Sequence, residues 1–471
     1  MPELIISRKN KICLSDYNYK KDIEIREILS TFSRFELDIL DELLFSSITT
    51  SVSKVSNQLE ITKDQLLPVL EKLAGIDLLK TDKEIISIDK KMRKYFEFER
   101  MRFDENFKPD LLFINNLLQK IPIHILPIWY VIPKSSNNIF ESIINKYLLS
   151  PQIFQRHLED LSHEDPIFAD VIHNIYTSEN KEVSSLEIQE RHKLSKLEFL
   201  EYILLLEFNL VCVLSYRKTE EGFEEILTPF HEYNEYLLHL KKTDTKPIQD
   251  TEKLIKKRNS DFGFVEDLSS ILNMAKKSIT VAQVQKNMKA ELNVKEQDIV
   301  ISSSYIDNLL NKLVQLKFIT KKQNSIQITS LGQKWNDFNL ENKALHLFYH
   351  PLNSLTINDL PSDFPKEILN EKSIREAEKS ISRVSKKGWV FFDDFINGVI
   401  TPITDSHLIK MKSFGKSYKY SLPDYSANEF FFIKKIIFEK LFESGIVSIG
   451  ALNNKDCFCV TKLGQTLFDL T

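Results

Sequence analysis

A short motif occurs twice in this chain, 132 positions apart, and its repetition limits the folds that the chain can adopt. The repeated residues are Thr329, Leu331, Gly332 and Gln333 in the first copy and Thr461, Leu463, Gly464 and Gln465 in the second. In both copies an acidic residue, Asp337 or Asp469, follows four positions after the glutamine. Self-similarity in this detail indicates internal duplication, so the fold should be built from repeated units.

The residues before the second copy follow a clear order of patterns. Apolar residues recur at helical spacing through 431–441, and Gly445 is placed to end that helix. An apolar pair, a polar tip at 452–456 and an alternating run at 457–460 then predict two strands joined by a turn. Helix, strand, wing, strand and closing turn are the back half of a winged helix. We therefore predict a mainly α fold with small β-ribbons, made of about four tandem winged-helix-like units in two halves.

Capping boxes and linker composition place the boundaries of these units. Ser33 with Glu36, and Ser195 with Glu198, have the spacing in which side chains satisfy free backbone donors at a helix start. A polar, proline-interrupted stretch near the middle of the chain predicts a linker. The predicted segments are 1–97 (lead-in and unit one), 98–165 (a helical or extended packing bridge), 166–240 (unit two), 241–261 (linker), 262–340 (unit three) and 341–471 (connector and unit four).

Composition supports a helical, globular protein. The 471 residues allow two to four domains, and 42% of them are hydrophobic. Only 10 are glycine, too few for a fold rich in tight turns. No signal peptide or membrane span is expected, and we predict a cytoplasmic protein. The four cysteines have neither metal-site nor disulfide spacing, which suits a reducing compartment.

The bridge contains a proline-punctuated apolar segment, 121–133. We expect it to be extended and buried between units. The alternative is a functional groove lined by Trp129, Tyr130 and His124.

The sequence offers no positive case for an enzyme. Gly415, Lys416 and Ser417 resemble the end of a phosphate loop, but that loop needs a glycine where this chain has Lys410. The histidines lie in separate segments, and no nucleophile–base spacing can be identified. We expect no catalytic residues, no metal site and no cofactor.

Binding therefore remains as the expected function. A winged helix places its third helix in the major groove and its wing on the DNA backbone. Hydroxyl, amide and lysine side chains at those positions suit phosphates and base edges. The candidate nucleic-acid contacts are Ser303, Asn308, Asn311, Lys312, Lys321 and Lys322 in unit three and Lys434, Lys435 and Lys440 in unit four. The polar insertion of unit four adds Lys410, Lys412, Lys416 and Lys419. The alternative is that these lysines form an ordinary solvated face.

Unit two has the opposite character. Its third helix is expected to turn Glu198, Glu201 and Glu207 outward, where they would repel phosphate. With a net charge of −4 for the whole chain, this unit favours a protein contact. The leading expectation is a non-enzymatic nucleic-acid-binding protein in DNA transactions or transcription. The alternative is a protein–protein interaction scaffold without direct DNA contact.

Three stretches of unit four resemble a recurring bacterial pattern. They are 387–395, which contains Gly388 and Trp389, then 441–450, and then 458–464 with its threonine and glycine. The pattern is similar to helicase-associated tandem winged-helix proteins related to the N-terminal region of XPB-type helicases. The resemblance covers about 90 residues and implies an accessory or orphan member of that group. This chain has no phosphate loop, so helicase activity is not implied.

Overall fold

The computed structural model describes residues 11–135, 138–178, 181–220, 222–295, 303–350, 364–415 and 417–469. It shows a mainly α protein with small antiparallel sheets of two to four strands, as predicted. The chain divides into two compact units. The first comprises the residues up to Leu238 together with Lys410–Tyr420, and the second comprises His239–Ile409 together with the residues from Ser421 onward.

Four segments, called modules below, share one element order: helix, short strand, helix, helix, strand, strand. In the first module these are Arg34–Phe45, Thr49–Ser51, Val52–Gln58, Lys63–Gly75, Leu79–Asp82 and Ile85–Ile88. In the second they are Pro166–Thr177, Val183–Ser184, Ser185–His192, Lys196–Phe208, Cys212–Lys218 and Phe223–Pro229. In both sheets the third strand lies between the other two. The capping boxes predicted at Ser33 and Ser195 are confirmed.

The third and fourth modules repeat this order within the second unit. The third has Gly263–Met274, Ile279–Thr280, Val281–Lys295, Ser303–Gln315, Ile319–Lys322 and Ser325–Ile328. The fourth has Glu371–Lys379, Val390–Phe391, Phe392–Ile396, Ala427–Lys435 continued by the π-helix Ile436–Leu441, then Val447–Leu452 and Lys455–Val460. One hydrophobic cluster runs from Phe264 to Val460 through both modules, so they fold around a shared core.

The remaining elements surround or connect the modules. In the first unit they are Leu14–Asp16, Tyr19–Ser30, Lys90–Arg100, Met101–Phe103, Leu111–Leu118, Leu126–Trp129, Ile139–Ile143, Ile144–Leu148, Pro151–Glu164, His231–Lys242 (which ends in the second unit), Met411–Phe414 and Ser417–Tyr420. In the second they are Ile255–Lys256, Ser330–Asn336, Leu340–Tyr349, Lys366–Ile368, Ser380–Val384, Asp405–His407 and Lys462–Asp469.

The structure differs from the expected boundaries in two places. Within the predicted linker 241–261, Ile255–Lys256 forms an edge strand against Val447–Leu452 of the fourth module. The predicted insertion of unit four, Lys410–Tyr420, clusters with the first unit instead. The Met411 N–H donates to the Leu149 carbonyl at 2.8 Å, which anchors that hairpin there.

The segment 121–133 is not extended, contrary to expectation. It forms turns and the short helix Leu126–Trp129. Pro127 lies in the first turn of that helix, where the N–H that proline lacks would have no partner within the helix. Trp129 and Tyr130 are fully buried, and the Tyr130 hydroxyl donates to the Phe208 carbonyl. These two side chains therefore line no groove.

Glu207 does not face outward, which corrects the expectation for the second module. It is completely buried, and its carboxylate accepts hydrogen bonds from the guanidinium groups of Arg26 and Arg102. The Leu214 N–H also donates to it, and Arg102 donates to the Leu214 carbonyl. The two guanidinium groups lower the pKa of Glu207 to about 2 against the effect of burial. Glu207, directly and through Arg102, thus provides hydrogen-bond partners for the N–H and carbonyl groups of Leu214 in the edge strand Cys212–Lys218.

The repeated motif has the same geometry in both copies. Thr329 caps the helix Ser330–Asn336 through a bond from the Gly332 N–H, while its own N–H donates to the Phe318 carbonyl at 2.9 Å. Thr461 accepts from the Gly464 N–H and donates its own N–H to the Ile446 carbonyl at 3.0 Å. The duplication is therefore one structural joint used twice.

Glycine is required at both joints by close backbone approach. A Cβ on Gly332 would lie 2.2 Å from the Phe318 carbonyl oxygen, and one on Gly464 would lie 2.3 Å from that of Ile446. We predict that Gly332→Ala and Gly464→Ala each lower the free energy of unfolding by about 3 kcal/mol, since the strand start must move. Urea denaturation measures this. Gly75→Ala, at a helical site with open space, should be neutral or slightly stabilising. Equal losses at all three positions would contradict the explanation.

Candidate nucleic-acid interface

The helix Ser303–Gln315 contains most of the contacts predicted for the third module. Ile306, Leu309 and Leu313 are completely buried on one side of it. Tyr305 donates its hydroxyl to Asp267 at 2.7 Å, which fixes a second side. The helix is therefore held rigidly by its core face, with the opposite face open to solvent.

That open face carries a row of hydroxyl and amide side chains. Ser304, Asn308 and Asn311 are exposed and spaced by four and three residues, which places them within an arc of about 60° on a helix, whereas Gln315, four residues further on, is half-buried. Asn308 and Asn311 are exposed, as predicted. The side chain of Ser303 lies outside the described residues. The row has no charged member.

One flank of this row carries Asp307 and Val314. The Asp307 carboxylate accepts a hydrogen bond from the Gln285 amide at 2.7 Å, so it is held toward the preceding helix. Val314 is 40% exposed. This flank adds an apolar contact beside the amides.

Lys312 lies on the other flank and is buried, so it cannot serve as the phosphate contact that was expected. Its ammonium pairs with the Glu443 carboxylate of the fourth module at 2.7 Å, and only 4% of its side chain is exposed. Burial raises the pKa of Glu443, and Lys312 partly offsets that rise. Lys312 is thus a structural link between the two modules that share a core.

The wing of the third module, Ile319–Lys322 with Ser325–Ile328, presents Lys321 and Lys322 to solvent. Within the described residues neither ammonium forms an ion pair. Gln323 at the tip has a φ of 48°, as a tight turn requires. Both lysines are therefore available to an anionic partner.

The lysines predicted in the fourth module are already paired. Lys434 bonds to Asp456 at 2.5 Å, and Lys435 pairs with Glu439 one helical turn away. Lys440 is buried, pairs with Glu378 and donates to the Phe348 carbonyl at 3.2 Å. Lys440 therefore has a structural role like that of Lys312. Lys434, at 42% exposure, is the most accessible of the three.

The modules differ strongly in charge. Residues 262–340 contain ten lysines and seven acidic residues, a formal charge of +3. Residues 166–240 contain six basic and fourteen acidic residues, a formal charge of −8. The open helix face and the exposed wing lysines thus belong to the basic module.

No family model matches this chain, and no curated protein matches it. The resemblance to helicase-associated proteins rests on the residues of the fourth module and stays a prediction. In the described part of the chain, no group of three or more His, Cys, Asp or Glu side chains is placed to hold a metal ion. Among the same residues, no helix is both long and apolar enough to cross a bilayer.

On a helical wheel Lys312 lies only about 40° from Asn308, at the edge of the exposed row, so helical spacing alone does not separate Lys312 from that row. The partners that bury Lys312, Lys440 and Glu207 could not have been identified in this way, because each lies far along the chain.

We predict that Lys312→Ala lowers the free energy of unfolding by about 3–5 kcal/mol, because it leaves the Glu443 carboxyl buried without its cation. Lys334→Ala removes an exposed lysine of the same module and should change it by less than about 0.5 kcal/mol. Urea denaturation compares the two. If Lys312→Ala instead lost duplex binding while its stability was unchanged, Lys312 would be a DNA contact and not a structural link.

Proposed function

We propose that this chain is a non-enzymatic tandem winged-helix protein that binds duplex DNA through its third module, in DNA transactions or transcription. The proposal rests on the exposed row Ser304, Asn308 and Asn311 of a rigidly held third helix, together with the exposed lysines Lys321 and Lys322 in the wing of the same module. The shared element order and strand order of the four modules support the winged-helix assignment. The four free cysteines suit action in the cytoplasm.

The helix Ser303–Gln315 has suitable dimensions and chemistry for the major groove. Its 13 residues span about 20 Å, and the groove is about 12 Å wide. An asparagine amide can bond adenine through both of its polar atoms, and an apolar group can contact the thymine methyl. Asn308, Asn311 and Val314 together therefore favour A·T base pairs.

The wing supplies the backbone contacts in this proposal. Lys321 and Lys322 can each neutralise a phosphate and release condensed counterions. Lys434 can add a weaker contact, since its surface pair with Asp456 is worth less than about 1 kcal/mol and can be exchanged. Lys312 and Lys440 take no part because both are buried in ion pairs.

The alternative is a scaffold that binds protein through the second module. Its charge of −8 disfavours nucleic acid, and two leucines on its helices, Leu186 and Leu197, are 62% and 54% exposed. Exposed leucines beside carboxylates suit a partner with basic and apolar side chains. If the helicase resemblance reflects kinship, either function would make this chain an accessory member without a motor.

The wing provides the first test of duplex binding. We predict that Lys321→Glu with Lys322→Glu weakens binding of the full chain to a 20-base-pair duplex at least tenfold at low salt. The slope of log affinity against log salt should fall by about two, one for each phosphate that the wing no longer neutralises. Fluorescence anisotropy measures both quantities.

Lys276→Glu with Lys277→Glu is the matched control. These lysines are also exposed and adjacent, but they precede the strand Ile279–Thr280 at the opposite edge of the sheet. An equal loss in both variants would indicate only a general charge effect. The absence of salt-dependent binding by the unaltered chain would leave the scaffold as the better explanation.

The amides provide a separate test of base reading. We predict that Asn308→Ala with Asn311→Ala abolishes a preference of about fivefold or more for A·T-rich over G·C-rich duplexes. The salt dependence should not change, because no charge is removed. Competition between two duplexes of equal length measures the preference. A preference that survives both substitutions would exclude these amides as its source.

A further inference from the structure

The hairpin Met411–Phe414 with Ser417–Tyr420 has chemistry that the duplex proposal does not use. Its strands pair in register, with Lys412 opposite Lys419 and Phe414 opposite Ser417. Gly415 in the turn has a φ of 65°, which suits glycine. Gly415 and Ser417, the described residues of the phosphate-loop-like sequence, thus lie in a hairpin and do not precede a helix. Lys416 lies outside the described residues.

One face of the hairpin is anchored to the first unit. Met411 and Tyr420 are buried, and the Tyr420 ring contacts that of Tyr236 at 5.9 Å. Tyr418, on the same face, contacts the Phe140 ring at 6.4 Å. Because side chains alternate along a strand, Lys412, Phe414 and Lys419 share the opposite face, and all three are exposed.

That outer face concentrates positive charge without local compensation. Like charges directly opposite each other in a two-stranded ribbon destabilise it. No acidic residue occurs anywhere in 406–423, and within the described residues neither Lys412 nor Lys419 forms an ion pair. A polyanion lying along this face would remove the repulsion.

The same face also carries an aromatic surface. Phe414 is 47% exposed, and the Lys419 ammonium lies 4.4 Å from its ring centroid. A ring flanked by cations is the arrangement by which proteins hold unpaired bases, since the ring stacks on a base while the cations contact the phosphates. Bases inside a duplex are already stacked on each other, so a duplex could use only the lysines.

We propose that the outer face of this hairpin, formed by Lys412, Phe414 and Lys419, is a binding site for single-stranded nucleic acid. It is a second site, on the first unit, and it does not depend on duplex binding by the third module. The third module and the hairpin would give one chain contacts for both paired and unpaired strands.

Anisotropy of a fluorescein-labelled 12-nucleotide oligo(dT) with the full chain tests this site. We expect salt-dependent binding. Unlabelled oligo(dT) should displace the labelled strand at a lower mass concentration than either duplex or polyglutamate. Lys412→Glu with Lys419→Glu should weaken binding at least tenfold. Phe414→Ala should weaken it about fivefold or more with little change in salt dependence, because the stacking surface is removed while the charges remain.

The matched control is Lys90→Glu with Lys91→Glu, which reverses two exposed lysines of the same unit. The single variant Lys412→Glu separates binding from folding: it places opposite charges across the ribbon, so the melting temperature should hold or rise while binding falls. Lys321→Glu with Lys322→Glu should leave oligo(dT) binding unchanged even if duplex binding is abolished.

Several results would overturn the proposal. They are no binding of oligo(dT), equal weakening in the Lys90 and Lys91 control, normal binding by Phe414→Ala, and displacement by duplex as effective as by oligo(dT). Displacement by polyglutamate at equal concentration would also overturn it, because the face would then be a general contact for acidic chains.

Discussion

The carbonyl oxygen of Phe318 receives the contacts on which the geometry of the third module depends. It lies between the end of the helix Ser303–Gln315 and the first wing strand, and the Thr329 N–H donates to it. Gly332 approaches it so closely that no side chain fits there. The same joint recurs at Ile446 in the fourth module. By fixing where the helix ends and the wing begins, one local contact sets the position of both candidate binding elements.

Local chemistry made most of the fold predictable, and distant partners account for the errors. The capping boxes and the Thr329–Gly332 cap of the repeated joint involve residues three positions apart, so their spacing in the sequence was sufficient. Lys440 and Glu207 find their partners 62 and 181 residues away. A charged residue on a helix is usually solvated, and nothing local marks one that is paired in the core. The candidate site was therefore predictable in its exposed amides and wing lysines, but not in Lys312.

The modules keep one element order while their formal charge diverges. A formal charge of +3 on residues 262–340 and −8 on 166–240 can coexist with −4 for the whole chain. Buried positions must preserve packing, whereas exposed positions can vary at little cost to stability. Element order therefore cannot identify the kind of partner that each module binds. The exposed side chains can, and of these two modules they favour an anionic partner only for the third.

The lysines predicted as nucleic-acid contacts fall into three physical classes, which differ in how much each can gain from a polyanion. Lys312 and Lys440 are buried with carboxylates, so removing them from those pairs would leave an uncompensated charge in the core. Lys434 and Lys435 have surface partners that a phosphate must replace, which reduces the net gain. The lysines of the two exposed ribbons have no such partner within the described residues, and one pair repels across its strands. Binding an anion there releases counterions and relieves repulsion at once, so the ribbons are where nucleic acid would gain most.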